Sequence, residues 1–154
     1  MIRMINKTEK SEQDFKNLNR FVDAQNSVYS EAIKELESGC KKSHWMWFIF
    51  PQIKGLGSSV MARKFAIESV TDARAYLEHP ILGSRLIECS SLVLAVKAKT
   101  AKEIFGYPDY LKFHSSMTLF SIVSKESPAF KDALDIFFNG QTDQLTLDII
   151  EMSK

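Results

Sequence analysis

Cysteine is scarce in this sequence, and the features of an exported or membrane-bound chain are missing. Only two cysteines occur among 154 residues. Cys40 and Cys89 lie far apart and outside any CxxC or zinc-ligand spacing, which is typical of reduced thiols. The first residues alternate apolar and charged types, unlike a signal peptide. The longest apolar run, Trp45 to Phe50, is far shorter than the roughly 20 residues that span a bilayer. We predict a cytoplasmic protein with no membrane partner.

Signature motifs of the common enzyme classes are also missing. The sequence contains no glycine-rich dinucleotide or ATP loop, no HExxH zinc motif and no nucleophile elbow. We therefore predict neither a metal site nor a cofactor. A net charge of +1 argues against general nucleic-acid binding, because proteins of that class carry a larger positive excess. If the protein binds a charged ligand, the complementary charge must come from a local cluster of residues.

What the sequence does contain is a succession of helical patterns separated by turn and capping residues. Apolar residues recur at spacings of three and four, which is the period of a helix with one buried face. Capping residues mark several helix starts: Ser58 or Ser59, Thr71, Thr100 with Glu103, and Thr142. We count about seven or eight helices and no reliable pair of alternating strands. The pattern predicts an all-α fold.

These helices are assigned to one compact domain, because 154 residues is an ordinary single-domain length. We predict a flexible N-terminal segment at residues 1–13 and a single helical domain at residues 14–152. Within that domain, the first two helices run from about Asp14 to Gln25 and from Tyr29 to Leu36. They are predicted to pack together as a hairpin.

Acidic residues are also absent from one long stretch, between Glu37 and Glu68. The same stretch holds five lysines or arginines and one histidine, namely Lys41, Lys42, His44, Lys54, Arg63 and Lys64. Such a local excess attracts an anionic ligand, although exposed charges are screened beyond ~10 Å. The pattern is equally typical of a solvated basic surface, and both interpretations stay open.

Both tryptophans of the chain, Trp45 and Trp47, lie in this basic stretch. The aromatic run is too short for periodicity to distinguish strand from helix, and we predict a non-regular aromatic segment near residues 43–57. Indole and imidazole faces can stack on a planar base, cationic side chains can neutralise phosphate, and an amide can pair with a base edge. The sequence therefore predicts a ligand site formed by His44, Trp45, Trp47, Gln52, Lys54 and Arg63. The alternative is an aromatic plug of the core followed by a glycine turn.

A second polar group follows Pro108 on a predicted helix. Lys112, Ser115 and Ser116 are predicted to join the same ligand site. The candidate catalytic residues are His44 as acid–base, Asp109 as the carboxylate that orients it, and Lys112 or Arg63 as a stabiliser of developing charge. An ordinary polar helix surface is the alternative.

Several of these strings resemble one bacterial family. The run Lys42-Ser-His-Trp-Met-Trp-Phe-Ile-Phe-Pro-Gln52, followed by Gly55-Leu-Gly57, is similar to a segment of domain-of-unknown-function family 1810. His79-Pro-x-Leu-Gly83, Pro108-Asp109 and Lys112-x-x-Ser-Ser-Met-Thr-Leu-Phe120 are similar as well. The resemblance covers roughly residues 14 to 150. It implies a small, stand-alone helical protein, and it implies neither an activity nor catalytic residues.

Three functions stay open at this point. The first is the binding of a small anionic, nucleotide-like ligand. The second is a hydrolase or transferase acting on a phosphorylated or nucleotide-derived substrate in the same pocket. The third is a protein-interaction module with an exposed aromatic patch. A concave pocket that Trp45, Trp47 and His44 share with Asp109 and Lys112 favours the first two functions. Complete enclosure of both indoles argues against them, and a flat exposed aromatic patch favours the third.

Overall fold

Ten α-helices form most of the computed structural model, which describes residues 7–153, with side chains described for residues 17–153. The all-α prediction is confirmed, with ten helices in the described part instead of seven or eight. The helices are α1 Lys7–Asn26, α2 Tyr29–Glu37, α3 Met46–Ile49, α4 Val60–Lys64, α5 Val70–Glu78, α6 Leu82–Ala95, α7 Ala101–Phe105, α8 Asp109–Val123, α9 Ala129–Phe138 and α10 Gln144–Met152.

The first helix starts earlier than its apolar stripe indicates. We predicted a start near Asp14, whereas α1 begins at Lys7. Residues 7–13, which the prediction left in a flexible terminal segment, are therefore helical. Residues 1–6 of that predicted segment lie outside the described residues.

Two of the predicted caps are confirmed by their hydrogen bonds. Thr100 and Glu103 form a reciprocal capping box at the start of α7, with N–H···O distances of 3.1 and 3.0 Å. Ser59 caps α4, where its hydroxyl accepts from the N–H of Ala62 at 3.1 Å. Each contact satisfies an N–H that the first helical turn leaves without a partner.

Two other caps lie one or two residues away from the predicted ones. Ser69, and not Thr71, caps α5, and Asp143, and not Thr142, caps α10. In each case the side-chain oxygen accepts from the N–H three residues later, at 3.2 Å. Adjacent residues of similar capping propensity cannot be separated by sequence, because the choice depends on backbone angles at the helix start.

The core is organised around α8, which is buried along most of its length. α8 packs against α5, α7, α9 and α10, while α6 packs against α2, α5 and α9. The predicted hairpin of the first two helices is not a main packing contact. Instead, α1 packs on α3 and α5, and α2 packs on α6. The sequence shows that each helix has an apolar face but not which partner covers that face.

A short extended contact closes the long loop that carries α4. The N–H of Ile67 donates to Gln52 O at 2.9 Å, and the N–H of Lys54 donates to Ile67 O at 2.8 Å, around an isolated parallel bridge at Ile53. Arg20 of α1 then donates to the carbonyls of Lys64 and Ala66, both at 2.8 Å. These bonds fix the end of the predicted aromatic segment against the body of the protein.

Candidate ligand-binding site

The aromatic segment is anchored by one buried carboxylate on α2. Glu35 Oε1 accepts from the N–H groups of Lys42 and Ser43 at 2.7 and 2.8 Å and from the indole N–H of Trp45 at 3.0 Å. The Ser43 hydroxyl donates to Oε2 at 2.6 Å. Burial alone would raise the pKa of Glu35. The hydrogen bonds from Ser43, Lys42 and Trp45 outweigh it and hold that pKa at about 2.

Trp45 belongs to the core and not to a recognition surface. Its side chain is 0% exposed, and its ring packs against Phe50 at a centroid distance of 6.2 Å. The prediction that Trp45 binds a ligand is therefore wrong. A buried indole also needs a partner for its N–H, and Glu35 supplies that partner. For this residue, the alternative of an aromatic plug is the correct one.

Trp47 has a different environment, because it lies half-buried at the surface. It is in the one-turn helix α3, and its ring is covered by the ammonium group of Lys112, whose Nζ lies 5.0 Å from the ring centroid. Lys112 is also paired with Asp109 at 3.4 Å, one turn earlier on α8. Two predicted ligand-binding residues, Trp47 and Lys112, are thus brought together.

Lys41 completes this arrangement on its buried side. Its ammonium group contacts Asp109 Oδ2 at 2.8 Å and lies 4.9 Å from the centroid of the Trp45 ring. The Lys41 side chain is only 6% exposed, compared with 22% for Lys112. We call these five residues the lysine–tryptophan cluster: Lys41, Trp45, Trp47, Asp109 and Lys112. Two ammonium groups, each over an indole, share one carboxylate.

The predicted catalytic pair of His44 and Asp109 is not formed. Asp109 is paired with Lys41 and Lys112, and His44 is not among its partners in the described residues. The His44 side chain is exposed. The physical reason is charge compensation: a nearly buried ammonium group needs a close carboxylate, and Asp109 meets that need for Lys41.

The two other basic residues of the predicted ligand site, Lys54 and Arg63, have separate partners. Lys54 pairs with Glu68 at 3.3 Å, and Arg63 donates from Nε to Ser58 O at 2.9 Å. Gln52 is half-buried, and its backbone joins the bridge to Ile67. The prediction that Lys54 and Arg63 converge with the tryptophans on one ligand finds no contact in the described residues. Their part of the stretch follows the alternative of a solvated basic surface.

Ser115 and Ser116 are structural positions on α8. The Ser115 hydroxyl donates to Asp143 Oδ2 at 2.9 Å and lies 3.1 Å from Leu111 O. The same Asp143 oxygen accepts from Thr146, so Ser115 helps to fix the start of α10. The Ser116 side chain is 0% exposed, and its hydroxyl has no hydrogen-bond partner within the described structure. Neither serine is placed to contact a ligand.

Glu35 and Lys41 are the residues that the sequence-based prediction missed. Lys41 was counted only as part of a basic stretch. Glu35 left a detectable signal, because it falls on the buried face of α2 beside Ala32 and Leu36, at the i+3 and i+4 spacing of a helical stripe. A charged residue on an apolar stripe indicates a paired, buried group.

Three surface clefts of the described structure lie elsewhere. Their volumes are about 270, 330 and 420 Å³, and they lie beside Arg74 and Lys125, beside Arg20 and Asp72, and beside Gly39 and Val96. None of these three is lined by a residue of the lysine–tryptophan cluster. None of these three clefts is therefore the predicted pocket, and the cluster presents a surface on which Trp47 is the partly accessible indole.

Comparison with known proteins gives the family of this chain. The model of a family described as a protein of unknown function, DUF1810, matches residues 15–150. The chain belongs to the DUF1810 family. No curated protein matches it. Within the residues that the structure describes, no helix combines the length and apolar character needed to cross a membrane.

One solved structure is similar over nearly its whole length. The conserved hypothetical protein Rv1873 from Mycobacterium tuberculosis is 45% identical, with a TM-score of 0.86. The similarity covers 88% of this chain and 96% of that protein. The family and the fold are thus shown together.

Proposed function

We propose that this DUF1810 protein binds a small anionic, nucleotide-like ligand at the surface formed by Trp47 and Lys112. The observation that supports this proposal is the pairing of a half-buried indole with a partly exposed ammonium group, held together at 5.0 Å. Such a pair offers a flat apolar face for a ring and a positive charge for an anion. We expect the protein itself to be cytoplasmic, as the sequence predicts.

The buried half of the lysine–tryptophan cluster supports this surface. Lys41 and Trp45 are enclosed and bonded to Asp109 and Glu35. They hold the loop before α3 against α8, and therefore hold Trp47 beside Lys112. A site is more selective when packing and hydrogen bonds fix the groups that contact the ligand.

Ligand binding requires a small movement of Lys112. Its ammonium group occupies one face of the Trp47 ring, where a planar ring of the ligand would stack. When the lysine moves aside, the ring can pack on the indole and the ammonium group can bind the ligand's phosphate. Aromatic stacking on a base is worth about 1–3 kcal/mol.

The enzyme alternative, a hydrolase or transferase acting on the same class of ligand, stays a prediction. It needs a general base that a second group orients. Asp109, which was predicted to orient His44, is paired with Lys41 and Lys112 instead. The alternative of a protein-interaction module needs an exposed aromatic patch. In the segment from Trp45 to Phe50, only Trp47 is partly exposed. We therefore favour ligand binding.

A thermal-shift measurement with adenosine 5′-monophosphate and inorganic pyrophosphate tests the proposal. At 100 times the dissociation constant, binding adds about 2.7 kcal/mol, which is a rise of roughly 5–10 °C in Tm for a domain of this size. The Lys112→Met variant keeps the apolar stem over Trp47 but loses the charge, so its shift should fall by at least half.

Lys131→Met provides the matched control, because Lys131 forms an exposed pair with Asp135 on α9. That variant should shift as the wild type does. The proposal is wrong if neither compound raises the Tm of the wild-type protein, or if both lysine variants lose the shift equally.

A further inference from the structure

We infer that Asp109 acts as an internal competitor for the ligand, so that the site selects dianionic phosphate monoesters over monoanionic groups. This inference rests on the proposed function and specifies its ligand class. Its basis is that one carboxylate already occupies the position of an anion between the two ammonium groups of the cluster.

The two ion pairs of Asp109 differ in strength and access. The contact with Lys41 is 2.8 Å long, and that lysine is 6% exposed. The contact with Lys112 is 3.4 Å long, and that lysine is 22% exposed. The pair with Lys112 is therefore the longer and more accessible of the two, and the easier one to separate. An incoming anion displaces Lys112 from Asp109 and leaves the buried pair intact.

Asp109 competes strongly with an incoming anion for Lys112, because both residues lie on α8. Asp109 and Lys112 are separated by one helical turn, so the carboxylate is present at an effective concentration of about millimolar or more. A ligand with a single negative charge offers Lys112 no more attraction than Asp109 does. A phosphate monoester carries up to two charges at neutral pH, because its second pKa is about 6. Only a dianionic phosphate therefore attracts Lys112 more strongly than Asp109 does.

The same contact also controls access to the indole. While Lys112 is paired with Asp109, its ammonium group stays over the Trp47 ring. The dianion that draws Lys112 away also uncovers the face on which its own ring stacks. Charge recognition and stacking are therefore coupled, and a neutral nucleoside without phosphate should bind poorly.

The test compares three ligands on the wild-type protein by calorimetry at pH 7.5 and 0.1 M salt. Adenosine 5′-monophosphate should bind about tenfold or more tightly than cyclic adenosine monophosphate, which has one negative charge, and adenosine should bind more weakly still. Equal affinities for the monophosphate and the cyclic compound overturn the inference. This comparison needs no variant and does not depend on the folding of one.

The Asp109→Asn variant gives a second readout, provided that its Tm shows that it folds, because Lys41 then lacks its compensating charge. In the folded variant the amide oxygen can accept from Lys41, while it no longer attracts Lys112 as a charge. Its affinity for the cyclic compound should rise about three- to fivefold, as expected for loss of a partly exposed ion pair. Asp135→Asn, in the exposed pair with Lys131, should change nothing. An unchanged or weaker affinity of Asp109→Asn contradicts the inference while the proposed function stands. Absence of nucleotide binding to both proteins contradicts the proposed function itself.

Discussion

Glu35 shows how a single residue determines whether neighbouring aromatic residues are core or surface. Its carboxylate accepts four hydrogen bonds from Lys42, Ser43 and Trp45. These bonds draw the Trp45 indole inward and turn the chain so that Trp47, two residues later, reaches the surface. The two tryptophans look equivalent in sequence, and only the position of their hydrogen-bond partner separates them.

Acid should weaken the protein through Glu35. Its pKa lies at about 2 in the folded protein, against an ordinary value of 4.5. Because folding lowers the pKa of this carboxylate, Glu35 stabilises the folded protein at pH values above its ordinary pKa. This stabilisation is lost as the pH falls from about 4.5 towards 2. The full contribution is about 3 kcal/mol. Urea unfolding of the wild type and of Glu35→Gln between pH 7 and pH 3 measures it.

The variant should be less stable at pH 7, and the difference should shrink below pH 4.5. An amide keeps one oxygen to accept from the N–H groups of Lys42, Ser43 and Trp45, but it lacks the negative charge that strengthens these bonds and turns an N–H group towards the Ser43 hydroxyl, which gives the loss at neutral pH its physical cause. Glu31→Gln, an exposed carboxylate on the same helix, is the control and should change stability by less than about 0.5 kcal/mol. A pH-independent difference for Glu35→Gln would contradict this account.

Packing between α5 and α6 depends on one glycine. A Cβ atom at Gly83 would lie 2.0 Å from the carbonyl oxygen of Leu77. The turn between the two helices is further fixed by His79, whose Nδ1 accepts from the N–H groups of Ile81 and Leu82 at 3.1 and 3.2 Å. The sequence has His79 and Pro80 at the junction of these two helices. It gave no indication that the helix backbones touch at Gly83.

Gly83→Ala should therefore destabilise the protein by about 3 kcal/mol, because the methyl group has no space and backbone atoms must move. Chemical unfolding measures the change. Ser84→Ala, the next position along α6, is exposed and should stay within about 0.5 kcal/mol of the wild type. A Gly83→Ala protein as stable as the wild type would show that the two helices separate easily.

Helix partners are harder to predict than helix positions. The period of apolar residues and the capping box at Thr100 located most helices, since both are local signals. The pairing of α2 with α6 joins residues far apart in sequence, and no local signal encodes it. For that reason the sequence predicted a hairpin of the first two helices, whereas α2 packs mainly on α6.

For the whole molecule, the sequence predicted the fold class better than the site. Composition and periodicity were sufficient for an all-α domain. The predicted site combined residues that the fold separates: Lys54 and Arg63 have their own partners, and Ser115 fixes the start of α10. Trp47, Lys112 and Asp109 do meet, because the ion pair of Lys41 with Asp109 holds the loop before α3 against the start of α8. The amino-acid composition indicated that the stretch around Trp45 and Trp47 is unusual. Which of its residues lie together depends on tertiary contacts, which the sequence does not show.

Single-tryptophan fluorescence most directly tests the central claim that Trp47, and not Trp45, contacts the ligand. The variant Trp45→Phe reports on Trp47 alone, and Trp47→Phe reports on Trp45 alone. When adenosine 5′-monophosphate is titrated into each folded variant, we predict saturable quenching of Trp47 and little change in Trp45. A saturable response from Trp45 alone, or no response from either indole, would contradict the account.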